Sequence, residues 1–387
     1  MKHRVVVEID RKAVVRNYRR IVARVKPAKV ICVLKANAYG LGVKEYARTL
    51  YLAGCRDFGV AEPFEALELK SLENEPNFKE PFNIQILSSI LPDEIEAMVK
   101  ADVILPITDL ESARRIDRIA GKFGKVARVQ LKLDTGMGRL GLLADSKDNV
   151  ASMAPMIVKA FKALKHLDVE GAFSHFSMAY EPKNDFTIKQ ISYLLTFVQI
   201  LEKRFGVTFK KVHIAASDAI NNHPVSFYEK FFNYVRTGIN LHGSFDPNGR
   251  RALKLEPVLT LKTRIAQVRD LPKGKTLGYG RTYTLKRPTK VATISAGYAD
   301  GLPLALSNKG FVLIKGVKCP IIGRISMDYT TVDVSKVKGT LKSGDEVICL
   351  GKSGKFSITP DDWAKIKGTH AYDIICSLGS RVERIFK

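Results

Sequence analysis

Apolar and polar positions along this 387-residue chain switch repeatedly between two periods. Over 11–25, Val14, Val15, Tyr18, Ile21, Val22 and Val25 recur at helical spacing, and Asp10 stands where an N-terminal cap belongs. The run 29–34 (KVICVL) is continuously apolar, as a strand buried on both faces requires. A second helical stretch, 43–53, stops at Gly54, a residue suited to the turn that ends a helix. The alternation then repeats. Strand-like runs occupy 58–61, 82–87, 103–107, 126–133, 169–173, 211–215 and 234–239. Helical patterns at 65–72, 93–100, 111–123, 149–164 and 186–205 lie between most of them. Eight strands with intervening helices in about 230 residues predict an α/β fold built on a (β/α)8 barrel. No G-x-G-x-x-G follows the first strand, which disfavours the competing doubly wound sheet.

After Gly243 the pattern changes. Residues 244–252 (SFDPNGRRA) form a Pro/Gly/Asn-rich connection, and beyond it runs of period two dominate: 259–268, 290–295, 311–314, 330–334 and 346–350. Turns with Gly or Pro separate them, so a mainly antiparallel β domain follows the barrel. One helical pattern, 360–367, holds the only tryptophan, Trp363.

Composition excludes several function classes. Hydrophobic residues make up 45% of the chain and are spread along all of it, which excludes disorder. No apolar run approaches the roughly 18 residues of a membrane span, so no membrane partner is expected. Glu8 and Asp10 interrupt the N-terminus before a signal-peptide core could form, which predicts a cytoplasmic protein. The net charge is +24, yet acids lie between the basic groups and no zinc-finger or RNA-binding signature accompanies them. The charge therefore reads as a solvated surface, with no nucleic-acid partner. Cys32, Cys55, Cys319, Cys349 and Cys376 include no C-x-x-C pair and read as five buried thiols of a reducing compartment. The seven histidines show no metal-binding spacing, so no metal is expected.

Lys35 ends the first barrel strand, within VLKANAYGLG. Barrel active sites gather at C-terminal strand ends, and a lysine desolvated there gains a nucleophilic amine able to form a Schiff base. From this residue alone, a surface lysine just past a strand is the better reading. Asn37 and Gly40 read as turn residues. However, VLKANAYG is followed in order by LKLDTGMGRLG at 131–141, GYGRTY at 278–283, GYADG at 297–301 and IGRISMD at 322–328. Together these motifs resemble alanine racemase over essentially the full chain.

The resemblance implies a homodimeric, barrel-type isomerase that racemises alanine for peptidoglycan, with pyridoxal 5'-phosphate carried on Lys35. Residues 1–10 become an N-terminal strand packing with the C-terminal domain, 11–243 the cofactor-binding barrel and 244–387 the β domain. Racemisation needs a base on each face of a planar carbanion. The resemblance assigns Lys35 to one face and Tyr279, donated by the partner subunit, to the other. A phenol with an ordinary pKa of about 10 is a poor base at neutral pH without help. That help is implied to come from His175 and Arg236, with Arg236 also bonding the pyridine nitrogen. Tyr39, Ser217 and Tyr372, with the backbone N–H groups of Gly238 and Ile239, match the phosphate contacts. By itself, Ser217 reads equally as a helix cap, His175 as a core residue and Arg236 as a surface residue. Arg139 and the partner's Met327 N–H are the implied anchors of the amino-acid carboxylate. Arg139 leaves strand five on a loop, Thr135-Gly136-Met137-Gly138, that reads as flexible. Lys132 matches a lysine that is carbamylated in many relatives. Asp328 matches a structural residue, and Tyr298 one that guards substrate access.

Three positions depart from the family pattern. Ala216 stands where asparagine is common, His242 where tyrosine is usual, and Thr237 in place of an aromatic or apolar neighbour. Ala216 leaves open a racemase of broader specificity, acting on serine, lysine or arginine. Barrel-type amino-acid decarboxylases share the lysine but lack GYGRTY with GYADG. The pyridoxal-phosphate homeostasis proteins lack the C-terminal domain.

Overall fold

A computed structural model describes residues 3–228 and 230–387, so Met1 and Lys2 of the segment 1–10 lie outside the described residues. The first half runs β1 (Val6–Ile9), α1 (Arg11–Val25), β2 (Lys29–Val33), α2 (Val43–Leu52), β3 (Asp57–Val60), α3 (Pro63–Lys70), β4 (Asn83–Ile86), α4 (Ile95–Lys100) and β5 (Leu105–Ile107). It continues with α5 (Leu110–Lys122), β6 (Ala127–Asp134), β7 (Leu142–Leu143), α6 (Lys147–Phe161), β8 (Leu167–Phe173) and α7 (Asp185–Phe205). Then come β9 (Lys211–His213), α8 (Ser217–Asn222), α9 (Val225–Tyr228) and β10 (Tyr234–Thr237).

Local chemistry fixes these elements. The Asp10 carboxylate accepts the Ala13 N–H at 2.9 Å and starts α1, which buries Val14, Tyr18, Ile21 and Val25. β2 buries four of its five residues. The parallel strands form two runs, β10-β2-β3-β4 and β5-β6-β8-β9. Hydrogen bonds from Ile86 N to Ile104 O (3.0 Å) and from Ile104 N to Ile84 O (2.9 Å) join β4 to β5. Bonds from Asn233 N to Val212 O (3.2 Å) and from Arg236 N to Ala215 O (3.0 Å) close β9 onto β10. Closure removes the sheet edges and brings all eight C-terminal strand ends to one mouth.

The second half contains β11 (Leu259–Leu271), β12 (Thr276–Leu277), β13 (Tyr283–Thr284), β14 (Thr289–Ile294), β15 (Phe311–Ile314), β16 (Val317–Pro320) and β17 (Thr330–Asp333). It ends with β18 (Glu346–Ser353), β19 (Phe356–Ile358), α10 (Pro360–Lys367), α11 (Ala371–Cys376) and β20 (Glu383–Phe386). The main sheet has the order β16-β15-β18-β11-β1-β20, with β14 also on β11 and β17 on β14. β1 pairs antiparallel with β11 and parallel with β20, Val6 facing Lys262 on one side and Glu383 on the other. α11 packs over the turn at 35–40 and so reaches the barrel mouth. Four cysteines are buried, but Cys376 is exposed at the end of α11, contrary to the expectation of five buried thiols. Among the described residues no helix is long and apolar enough to cross a membrane.

Candidate active site

The segment after β2 determines where Lys35 stands. Ala36, Asn37, Ala38 and Tyr39 all take left-handed backbone, with φ between 52° and 58°. Each such non-glycine residue costs roughly 1–2 kcal/mol, so the turn persists only because it is pinned. Ala38 N bonds Leu34 O at 2.8 Å, and Asn37 Oδ1 accepts Val43 N at 2.8 Å. The Glu65 carboxylate accepts the N–H groups of Ala36 and Ala61. This tight turn places Lys35 and Tyr39 on the wall of one cavity of about 630 Å³.

Lys132, Arg139, His175, Ser217, Arg236, Gly238 and Tyr372 line the same cavity. Lys35 is open to its interior, yet the surrounding protein desolvates it, and with Arg139 nearby its pKa is lowered from the usual lysine value. Lys132 is buried, and its Nζ donates to Leu87 O (2.7 Å) and Ser88 O (3.0 Å). Burial first, then the charges of Arg139 and Arg236, bring its pKa down to about 7.

Arg236 is 3% exposed and organises the floor, which corrects its reading as a surface residue. Nη2 donates to Ser174 O (2.6 Å) and Ile214 O (3.0 Å) and lies 3.1 Å from His175 Nδ1. Nη1 contacts His213 Nδ1, and His213 Nε2 lies 2.9 Å from Gln130 Oε1. Arginine only donates, so both imidazoles accept at Nδ1 and, when neutral, carry their protons on Nε2. Burial, reinforced by Arg236, holds both histidines well below their ordinary pKa. Burial and then Arg139 bring Arg236 itself down to about 9. His213 and Gln130 escape sequence reasoning because each looks like an ordinary strand residue until the barrel closes.

Tyr39, Ser217, Gly238 and Tyr372 make the far wall. The rings of Tyr39 and Tyr372 are 5.9 Å apart. A Cβ at Gly238 would collide with the Tyr39 hydroxyl, so only glycine lets these two groups meet. Ser217 is the first residue of α8 rather than its cap, which is Ala216; its Oγ accepts Gly238 N at 3.1 Å. Ile239 opens a 3-10 turn and its N–H has no partner within it. Asp218 and Asp246, also unanticipated, line this end; burial and then Asp246 push Asp218 up to about 6.

This set of groups suits a phosphorylated aldehyde: hydroxyls and the Ile239 N–H, with the Gly238 N–H now on Ser217 Oγ beside them, for an anion, and a desolvated amine for a carbonyl. Among the described residues the Nε of Arg236 has no hydrogen-bond partner, although both Nη atoms do. It is a donor left over for a ring nitrogen.

The loop bearing Arg139 is not the flexible element its glycines suggest. Asp134 accepts four successive backbone N–H groups from it, and the Phe186 ring presses on Gly136.

Tyr279, Met327 and Tyr298 do not line this cavity. They lie on the C-terminal domain, Tyr279 72% and Met327 52% exposed, with Tyr298 also exposed. Arg381 ties together the two loops that hold Tyr298 and Met327, donating to Asp300 (2.7 and 2.9 Å), Asp328 Oδ1 (2.7 Å) and Met327 O (3.3 Å).

Residues 9–246 match the family described as alanine racemase, N-terminal domain, and 258–386 match alanine racemase, C-terminal domain. Alanine racemase 2 of Caldanaerobacter subterraneus subsp. tengcongensis is 36% identical, covering 98% of this chain and 94% of that protein. Alanine racemase of Methanococcus maripaludis is 34% identical across 100% and 99% of the two chains. Among solved structures, alanine racemase from D-cycloserine-producing Streptomyces lavendulae superposes with a TM-score of 0.89 at 32% identity, covering 100% of this chain and 98% of that one. Alanine racemase from Bartonella henselae with covalently bound pyridoxal phosphate gives 0.84 at 31% identity, covering both chains completely.

Proposed function

The chain belongs to the alanine racemase family, and we propose that it interconverts L-alanine and D-alanine with pyridoxal 5'-phosphate, supplying D-alanine for cell-wall peptidoglycan in the cytoplasm. The observation that carries this reading is Lys35, an amine with a lowered pKa facing Arg236 and Arg139 across one cavity. Tyr39, Ser217, Tyr372, Gly238 and Ile239 fit the cofactor phosphate, and Arg236 Nε fits the ring nitrogen. When bound, the cofactor acidifies the substrate Cα–H by delocalising the charge left behind. A fixed guanidinium against the ring nitrogen withholds a proton from it and tempers that delocalisation.

The protein's own groups do the rest. Arg139 holds the substrate carboxylate, which fixes which faces of Cα the two bases meet. Lys35 Nζ takes or returns the proton on one face. Tyr279 of the partner subunit serves the other face, and Met327 of the partner subunit offers its N–H to the carboxylate. His175, neutral with its proton on Nε2, presents a donor that stabilises a phenolate oxygen. The exposure of Tyr279 and Met327, both outside the cavity that Lys35 lines in their own chain, supports a homodimer with shared sites.

Incubating the protein and its cofactor separately with L-alanine, L-serine, L-lysine and L-arginine, followed by chiral analysis, tests the proposal. D-alanine should dominate, and Lys35→Ala should lose both racemisation and the yellow colour of bound cofactor. Lysine or serine turnover rivalling that of alanine would replace the narrow assignment. Wild-type protein that stays colourless, with no cofactor fixed to Lys35 by borohydride, would overturn the mechanism.

A further inference from the structure

Asp134 is the last residue of β6, 7% exposed, and its side chain turns into the loop that follows it. Oδ1 accepts Gly136 N (3.0 Å), Met137 N (2.8 Å) and Gly138 N (3.0 Å), and Oδ2 accepts Arg139 N (2.9 Å). Four consecutive N–H groups thus converge on one carboxylate, a nest of main-chain dipoles wrapped around an anion. The other constraints on the loop are equally firm. Thr135 Oγ1 lies 2.7 Å from Ser174 Oγ, and Gly141 returns the chain against the backbone of Lys132–Asp134, where a Cβ would sit 2.7 Å from Lys132 O. By contrast, the Arg139 side chain is exposed to the cavity and takes no protein acceptor among the described residues. Its aim is therefore set by its backbone.

We propose that Asp134 is a positioning residue for carboxylate recognition: it preorganises the 135–139 loop so that Arg139 presents its guanidinium to the substrate carboxylate. The inference rests on the reading of Arg139 given above. Burial opposes ionisation of Asp134, yet the four N–H groups hold its pKa below the ordinary aspartate value, so the anchor stays charged across the working range. An ionised acceptor bonds N–H groups about twice as strongly as a neutral one, which makes the carboxylate more than a filler of space.

Asp134→Asn is nearly isosteric and separates anchoring from folding. Its amide oxygen still accepts three N–H groups, but its NH2 opposes the fourth, that of Arg139. Three ligands divide the recognition: L-alanine, propionate (carboxylate without amine) and ethylamine (amine without carboxylate). Propionate affinity is read by calorimetry, and ethylamine affinity by the change in the visible spectrum of the holoenzyme. In Asp134→Asn the KM for alanine and the Kd for propionate should rise roughly tenfold, with a smaller fall in kcat and ethylamine affinity unchanged. Arg139→Ala should show the same selectivity, and the double variant should be no worse than Arg139→Ala alone. Gly138→Ala places a left-handed alanine (φ 71°) in open space and should give a smaller loss of the same kind without endangering the fold.

Equal losses for propionate, ethylamine and kcat in Asp134→Asn would mark a purely structural residue and overturn the inference. So would unchanged propionate binding in both Asp134→Asn and Gly138→Ala beside a weakened Arg139→Ala, although the reading of Arg139 would then survive. Unchanged propionate binding in Arg139→Ala would overturn that reading and this inference with it.

Discussion

His242 stands edge-on to Tyr39, ring centroids 5.0 Å apart, and neither of its nitrogens has a hydrogen-bond partner among the described residues. Tyr46 packs its other side at 4.9 Å. This histidine works as a neutral aromatic wedge behind a residue of the candidate phosphate wall, and burial lowers its pKa to about 3. The unfolded chain protonates near the ordinary value of about 6.5, so below that pH the unfolded state gains a proton that the folded state refuses. Stability is intact above about pH 6.5 and falls as the pH drops. At pH 5 the loss is roughly 2 kcal/mol from this residue alone. His242→Phe should therefore lose less stability than the wild type between pH 8 and pH 5, by about that amount in denaturant titrations. Parallel pH slopes would refute the assignment.

Burial and then the Arg236 charge keep two imidazoles neutral, so removal of Arg236 should be visible in both. In Arg236→Gln the His175 and His213 resonances should titrate at higher pH than in the wild type, because a nearby positive charge is gone. Racemisation should fall by at least about tenfold, since His175 then loses the contact that fixes its tautomer. Histidine NMR titration and steady-state rates read the two effects separately.

The proposed sharing of active sites between subunits makes complementation possible between two dead proteins. Lys35→Ala and Tyr279→Phe each spoil both sites of their own homodimer. After subunit exchange in an equal mixture, half of the dimers are mixed, and each mixed dimer carries one intact site. Activity should recover to about a quarter of the wild-type level. Recovery of nothing, with exchange verified, would mean that Tyr279 does not serve its neighbour.

Lys132 is partly deprotonated near neutral pH, which is the form that adds carbon dioxide. The neighbouring Arg139 both depresses the amine and attracts a carbamate. Under 13C-labelled bicarbonate a protein carbamate signal should appear by NMR, vanish in Lys132→Ala and weaken in Arg139→Ala. Its absence from the wild type would leave Lys132 as a plain donor to Leu87 O and Ser88 O.

The left-handed turn gives a stability prediction. Ala36 is exposed and has φ 52°, so Ala36→Gly removes backbone strain and little packing. After the added freedom of glycine in the unfolded chain is subtracted, the net gain is about 0.5–1 kcal/mol, a rise of roughly 1–2 °C in Tm. A lower Tm by calorimetry would show that the turn is less strained than its dihedral angles imply.

The barrel was legible because its strands are apolar runs at regular intervals and its helices carry regular stripes; Asp10 and Val25 bound α1 in sequence and structure alike. Three short elements were not. α8, α11 and β16 offer too few positions to show a period, and α11 matters most because it brings Tyr372 to Tyr39. Lys35 and Arg139 stood out through motifs, whereas Gln130 and His213 are distinguished only by what closure places beside them, and Asp134 by the loop N–H groups that turn back onto it. The glycines at 136 and 138 misled in an instructive way: they permit the backbone conformation that Asp134 then fixes, so permissiveness was mistaken for motion.

β1 lies between β11 and β20 and shares its two hydrogen-bonding edges between them. During synthesis Val6–Ile9 therefore leaves the ribosome with both edges bare, and one stays so until Glu383–Phe386 emerges. The barrel translated in between is tethered to an unfinished seam. Removing Glu383–Phe386 would accordingly strip a neighbour from β1 and, through the lost Arg384 bonds to Leu378 O, Gly379 O and Gly40 O, loosen α11 over the turn that carries Lys35.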